Sequence, residues 1–169
     1  KSLPFNISLS KLGVKNVYGL MVHDCDDLFK IGGELLFEKM KELKSSGLVE
    51  KIGVSVYRED QIEYLLNNFD IDIIQLPINV FDQRLLVRGC LKRLKNKNIE
   101  IYARSIFLQG LLLMDKAQVK NKLPTAYNAA KKWDDIVIEN QTEKDVLAMS
   151  FAVDLEWPLV VGVENENQL

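Results

Sequence analysis

His23 is the only histidine in the chain, and it follows the apolar run Val17-Tyr18-Gly19-Leu20-Met21-Val22. An imidazole at a strand end can donate a hydrogen bond to a substrate oxygen or tune a neighbouring acid near neutral pH. It can equally well bond a loop carbonyl and serve structure alone. Asp24, Asp26 and Asp27 come directly after it. Such a trio reads either as a metal or phosphoacceptor cluster or as carboxylates that cap a helix and sit in solvent. Ser55 and Gln75 lie in or at the end of two further apolar runs, and their side chains carry the donors and acceptors needed to hold a planar amide such as a carboxamide. They could also satisfy nearby backbone. Arg104, followed by Ser105, ends another run, where a guanidinium is costly unless it is paired or faces a cleft. Gly162 closes the last run. The segment Asn165-Glu166 beyond it opens a candidate helix whose N-terminus could seat a phosphate. The basic run Lys92 to Lys97 reads as a solvated helix face.

These residues need elements to place them, and the chain supplies an alternation. Apolar runs of strand length occur at 17–22, 52–56, 71–76, 99–103 and 159–161. Helical spacing falls between them. Leu36, Met40 and Leu43 mark one face, with Gly47 as its stop, and Ile62, Leu65, Leu66 and Phe69 mark a second. Val87, Cys90, Leu91 and Leu94 predict one helix. Pro124 opens another through Trp133 to Ile138, and Thr142 with Asp145 suggests a capping box before a helix over 146–155. Continuous apolar strands alternating with helices imply β/α units and a parallel sheet. Two architectures accept five such units: a complete doubly wound sheet, or part of an eight-stranded β/α barrel of about 250 residues. Periodicity leaves both open. In either, chemistry belongs at the carboxyl ends of the strands, which is where the residues above fall.

Composition narrows the classes. The chain has 169 residues, 47% hydrophobic and 27% charged, which suits a single globular domain over 1–169. Lys+Arg is 22 against Asp+Glu 24, a net charge of -2, so no basic excess exists for broad nucleic-acid binding. No apolar run approaches the ~20 residues of a spanning helix, so no membrane partner is expected. Cys25 and Cys90 have neither zinc-site nor disulfide-framework spacing, so reduced thiols and a cytoplasmic setting are the expectation.

The ordered segments resemble the aldo-keto reductase family. Ser8 to Val14 followed by Leu20-Met21-Val22-His23 resembles the family's third helix and fourth strand, which ends in its catalytic histidine. Ile52-Gly53-Val54-Ser55 resembles the fifth strand. Ile74-Gln75-Leu76-Pro77 with Asn79 to Arg84 resembles the sixth strand and its loop. Ala103-Arg104-Ser105 with Leu108 to Leu112 resembles the seventh, and Val160-Val161-Gly162-Val163 with Gln168-Leu169 resembles the eighth strand and the start of the cofactor-phosphate helix. The wording at 81–84 and 105–113 is similar to the branch associated with bacterial surface-polysaccharide genes.

The resemblance implies an α/β fold, a partial (β/α)8 TIM barrel made of its five C-terminal β/α units. It implies an oxidoreductase that reduces a carbonyl compound, or oxidises the alcohol, with NADPH or NADH and no metal. His23 takes the catalytic place. Ser55, Gln75, Arg104, Ser105, Gly162 and Gln168 take cofactor-binding places, with Ser55 and Gln75 on the nicotinamide carboxamide and Arg104 where many members stack a tyrosine. The family's catalytic tyrosine, aspartate and lysine lie on the first three strands, so the 169-residue chain is expected to be a fragment, inactive and poorly stable alone. Val56 replaces a common carboxamide-binding asparagine. The stretch Gly162 to Gln168 has no Lys or Arg, and Glu164 and Glu166 would repel the 2′-phosphate of NADP. The rival readings are a non-catalytic nicotinamide-nucleotide-binding or interaction module, and a doubly wound phosphoacceptor using Asp24 or Asp26.

Overall fold

The computed structural model describes residues 4–87, 89–163 and 166. The chain runs α1 (Pro4–Leu12), β1 (Val17–Val22), α2 (Gly33–Ser45), β2 (Val49–Ser55), α3 (Glu59–Asn68), β3 (Ile73–Pro77), α4 (Arg84–Val87), α5 (Cys90–Asn96), β4 (Glu100–Arg104), α6 (Lys116–Lys122), α7 (Tyr127–Glu139), α8 (Lys144–Val153) and β5 (Leu159–Val160). Short 3-10 turns occupy Cys25–Leu28, Leu111–Leu113 and Pro124–Ala126. Strand order is chain order, β1-β2-β3-β4-β5. The β1/β2, β2/β3 and β4/β5 pairs are parallel. This is the α/β alternation that the apolar runs and helical faces predict.

The chain divides into two compact units, Lys1–Leu76 with Leu85–Ile101, and Pro77–Arg84 with Tyr102–Leu169. In the first unit the core lies between strands and helices. Ile52 and Val54 of β2, Ile74 and Leu76 of β3, and Ile62 and Leu65 of α3 are all buried to 1% exposure or less. Each such side chain contributes about 1.5–3 kcal/mol of transfer free energy. Helix α2 turns Phe37 and Met40 inward, and Phe37 meets Phe69 edge-on at 4.9 Å. Gly47 follows α2 with φ +75, the left-handed conformation that ends a helix at least cost in glycine. Gly53 is required sterically. A Cβ there would stand 1.9 Å from the Ile73 carbonyl oxygen on the neighbouring strand.

In the second unit Leu112, Trp133, Val137 and Ala148 form a buried cluster. The Trp133 indole N–H donates to the Leu112 carbonyl at 2.9 Å, so the polar edge of this large ring is satisfied inside the core.

Two local expectations are corrected. The helix predicted through Val87, Cys90, Leu91 and Leu94 is two pieces, α4 and α5, separated around Gly89, whose φ is +47. Thr142 does not form the capping box with Asp145. Glu143 is the cap residue of α8, and the Asp145 carboxylate accepts from the neighbouring Val146 N–H. The stretch 114–123 contains helix α6, which the apolar spacing did not mark. Its box is Asp115 with Gln118: the Asp115 carboxylate accepts from Gln118 N at 2.8 Å, and the Gln118 side chain accepts from Asp115 N at 3.2 Å.

Candidate functional site

In the first unit, the strand ends gather three of the sequence-predicted residues. Val22 pairs with Val54, and Ser55 pairs with Gln75. His23, the residue after Val22, is therefore carried at the same level of the sheet as Ser55, the residue after Val54. Ser55 is buried, Gln75 half-buried and His23 exposed. Val56 N donates to the Gln75 carbonyl at 3.0 Å, which extends the β2/β3 ladder beyond Ser55 and holds the two polar side chains in fixed register. A hydroxyl and a primary amide side by side supply both donors and acceptors, as a carboxamide requires.

The aspartates beside His23 have structural work. The Asp24 carboxylate caps the Cys25–Leu28 turn by accepting from Asp26 N at 3.0 Å. Asp26 accepts from the Gln61 amide at 2.8 Å, and Asp27 pairs with Lys30 at 2.7 Å. The metal or phosphoacceptor reading of this trio therefore has no support in the geometry. These are capping and pairing carboxylates, the other reading open from sequence. Cys25, within the same turn, is completely covered, and burial followed by the Asp26 and Asp24 charges pushes its thiol up to about 12. It is an inert thiol rather than a nucleophile.

In the second unit, Arg104 ends β4 half-buried, and its guanidinium donates to the Ser105 hydroxyl at 3.1 Å. Ser105 itself has φ +60, uncommon for a residue with a side chain. Leu108, Gln109 and Gly110 share positive φ, so the segment after β4 is a tightly wound loop. Its backbone, with α8 and the end of β5, borders an open cleft of about 1100 Å³ lined by Ser105, Phe107, Gln109, Gly110, Met149 and Gly162. Gly162 is exposed beyond β5. Gln168 lies outside the described residues. The loop is held from behind by Trp133 on the Leu112 carbonyl and by Lys144, whose ammonium reaches the Met114 carbonyl and Asp134, each at 2.6 Å.

Sequence reasoning overlooked two buried amides that brace these loops, Gln61 and Asn79. The signal for Gln61 was available: a glutamine at the third position of a helix is the reciprocal half of a capping box. Asn79 carried no spacing signal of its own.

The model of the aldo/keto reductase family matches residues 4–169. Among curated proteins none matches the sequence. Among solved structures, an aldo-keto reductase from Bacillus halodurans in its apo form is 19% identical, with 97% of this chain and 57% of that chain covered, at TM-score 0.71. The glycerol dehydrogenase of Gluconobacter oxydans is 17% identical over 97% of this chain and 54% of that one, at TM-score 0.70. An aldo-keto reductase enzyme from a Medee basin deep-sea metagenome library is 19% identical over 97% and 55%, at TM-score 0.62. The chain thus spans just over half the length of these structures. At such identities the likeness shows the fold, the partial β/α barrel implied by the sequence resemblance. No helix among the described residues is long and apolar enough to cross a membrane.

Proposed function

The chain belongs to the aldo/keto reductase family, and on that premise we propose that it contributes the nicotinamide-holding part of a carbonyl reductase, with one donor for the substrate oxygen. The observation that carries the reading is the pairing of Ser55, at the end of β2, with Gln75, at the middle of the short strand β3, with His23 directly after β1. Their donors and acceptors fit a planar carboxamide, and no charged side chain is needed for it. Val56 leaves this grip one amide short of the usual family pattern.

The bound nicotinamide dinucleotide supplies the hydride. The chain's own residues orient and stabilise. Ser55 and Gln75 fix the carboxamide, which sets the face of the ring that meets the substrate. His23 donates an N–H to the carbonyl oxygen as that oxygen gains negative charge. Arg104 provides a planar guanidinium against which a ring can stack. The Ser105 loop and Gly162, which line one cleft, would hold the cofactor's phosphates through backbone N–H groups. Gly162 to Gln168 holds Glu164 and Glu166 and no cation, a balance that favours NADH over its 2′-phosphorylated counterpart. The substrate is a small carbonyl compound.

The test is titration of the complete natural protein with NADH and NADPH, then turnover of aldehydes, ketones and sugar-derived carbonyls. NADH should bind more tightly, and His23→Ala should lower kcat by about a hundredfold or more while leaving nucleotide affinity within about twofold. No binding of either nucleotide at about 1 mM would overturn the reading.

A further inference from the structure

Gln61 and Asn79 are buried to 2% and 1% exposure, and neither is one of the candidate site residues. Each makes the same set of bonds. The Gln61 carbonyl oxygen accepts from Tyr57 N at 2.8 Å and Arg58 N at 3.1 Å, two backbone donors of the loop after β2. Its NH2 donates to the Asp26 carboxylate at 2.8 Å, in the loop after β1. In the other unit, the Asn79 side-chain oxygen accepts from Phe81 N and Asp82 N, both at 3.0 Å, in the loop after β3. Its NH2 donates to the Ser105 carbonyl at 3.2 Å, in the loop after β4. The orientation of both amides is forced. Reversed, each would set its NH2 against backbone N–H groups and its oxygen against another oxygen.

We propose that Gln61 and Asn79 are positioning residues, each tying two neighbouring strand-end loops so that the site residues on those loops keep a fixed spacing. Gln61 ties the loop that begins at His23 to the loop that begins beyond Ser55. Asn79 holds the carbonyl of Ser105, whose φ of +60 needs outside support. An amide suits the task because it is donor and acceptor at once and carries no charge into a buried place. An apolar residue of the same size would fill the space and leave the Tyr57 and Arg58 N–H groups without the Gln61 acceptor and the two loops without their shared bond. The inference rests on the nicotinamide reading for its catalytic consequence, though not for the tie itself.

The test uses Gln61→Glu and Gln61→Met in the complete protein. The introduced carboxyl keeps both N–H acceptors but faces Asp26. Other charges near it are Arg58, 3.9 Å from Asp26 and paired with Asp60 at 3.0 Å, and the Asp24 carboxylate that caps the same turn. At about pH 8 two carboxylates oppose each other and the loops part. At about pH 5.5 they share a proton, and an O–H···O bond restores the tie. Relative to wild type at each pH, kcat of Gln61→Glu should fall about tenfold or more at the higher pH and return to within about threefold at the lower, with KM nearly unchanged. Gln61→Met should stay low at both. A wild-type kcat in Gln61→Met, or a Gln61→Glu ratio that ignores pH, overturns the inference.

Amide hydrogen exchange at Tyr57 and Arg58 reads the tie without catalysis. Both amides should open in Gln61→Met, and in Gln61→Glu only at the higher pH. Unchanged protection overturns the tie. Opened amides in a protein that binds no nucleotide would instead sustain the tie and remove the nicotinamide reading. If Gln61→Met does not fold, the two pH values of Gln61→Glu carry the same decision. Asn79→Leu should open the Phe81 and Asp82 amides at both pH values.

Discussion

Cys25 offers a sharp test of how tightly the loop after β1 is sealed. Its side chain is wholly covered, and burial, then the charges of Asp26 and Asp24, raise its thiol from 9.0 to about 12. The raised value means that the folded state prefers the neutral thiol. The associated stability is present below pH 9 and is lost as pH rises from 9 towards 12. At pH 10 the unfolded chain is about nine-tenths thiolate at this residue and the folded chain about a hundredth. Linkage converts that difference to a loss of about 1 kcal/mol relative to pH 7. Cys25→Ala costs about 1 kcal/mol at every pH through the small cavity it leaves, but it removes the titration. Urea midpoints of both proteins at pH 7 and 10 give the double difference, in which every other titrating group cancels. The expected result is about 1 kcal/mol of extra alkaline loss in wild type, together with very slow alkylation of Cys25 in the native protein at about pH 8. Equal losses in the two proteins, or alkylation at the rate of a free thiol, would refute the burial argument.

Ser55→Ala should weaken nicotinamide nucleotide binding about tenfold, the worth of one hydrogen bond; calorimetric titration reads it, and unchanged affinity removes Ser55 from the carboxamide grip. Gly53→Ala drives a Cβ onto the Ile73 carbonyl, a backbone atom that cannot yield cheaply, so the variant should lose about 3 kcal/mol or fail to accumulate folded; a urea midpoint near wild type would show that the β2/β3 approach is looser than described. Lys144→Met leaves Asp134, largely covered, without its cation and should cost about 3 kcal/mol, whereas adding Asp134→Leu should recover most of it. A double mutant no better than Lys144→Met would deny the pair its role behind the Ser105 loop. Trp133→Phe keeps the ring contact with Phe81 but strands the Leu112 carbonyl, and should cost about 1–2 kcal/mol in denaturant unfolding. A loss under about 0.5 kcal/mol would mean that water replaces the indole.

Much of the fold was legible along the chain because strands buried on both sides write themselves as unbroken apolar runs. The run at 71–76 covers β3 as far as Leu76, buried along most of its length, the run at 17–22 matches β1 to the residue although Tyr18 and Gly19 are exposed, and Ile62, Leu65 and Leu66 occupy the sealed face of α3. Boundaries failed where a single residue overrode periodicity. Leu91 and Leu94 continue the spacing begun at Val87, but Gly89 interrupts the backbone between them. Helix α6 escaped because its apolar content is nearly confined to Ala117 and Val119, too little for a face, although its Asp115/Gln118 box was written in the sequence.

What the sequence determined by itself was the order of chemistry: a histidine, a serine, a glutamine and an arginine, each at or beside a strand terminus. That order follows from local rules, since apolar runs end where polar residues begin. The tertiary structure decided who stands beside whom. Only the β2/β3 register makes neighbours of Ser55 and Gln75, residues separated by the whole of α3. Only the folded loops turn Asp26 from a candidate acceptor of phosphate into the acceptor of the Gln61 amide. Register and amide bracing depend on groups distant in sequence that meet once and in one orientation. No periodicity encodes such a meeting, because its energy exists only after both partners have left water together.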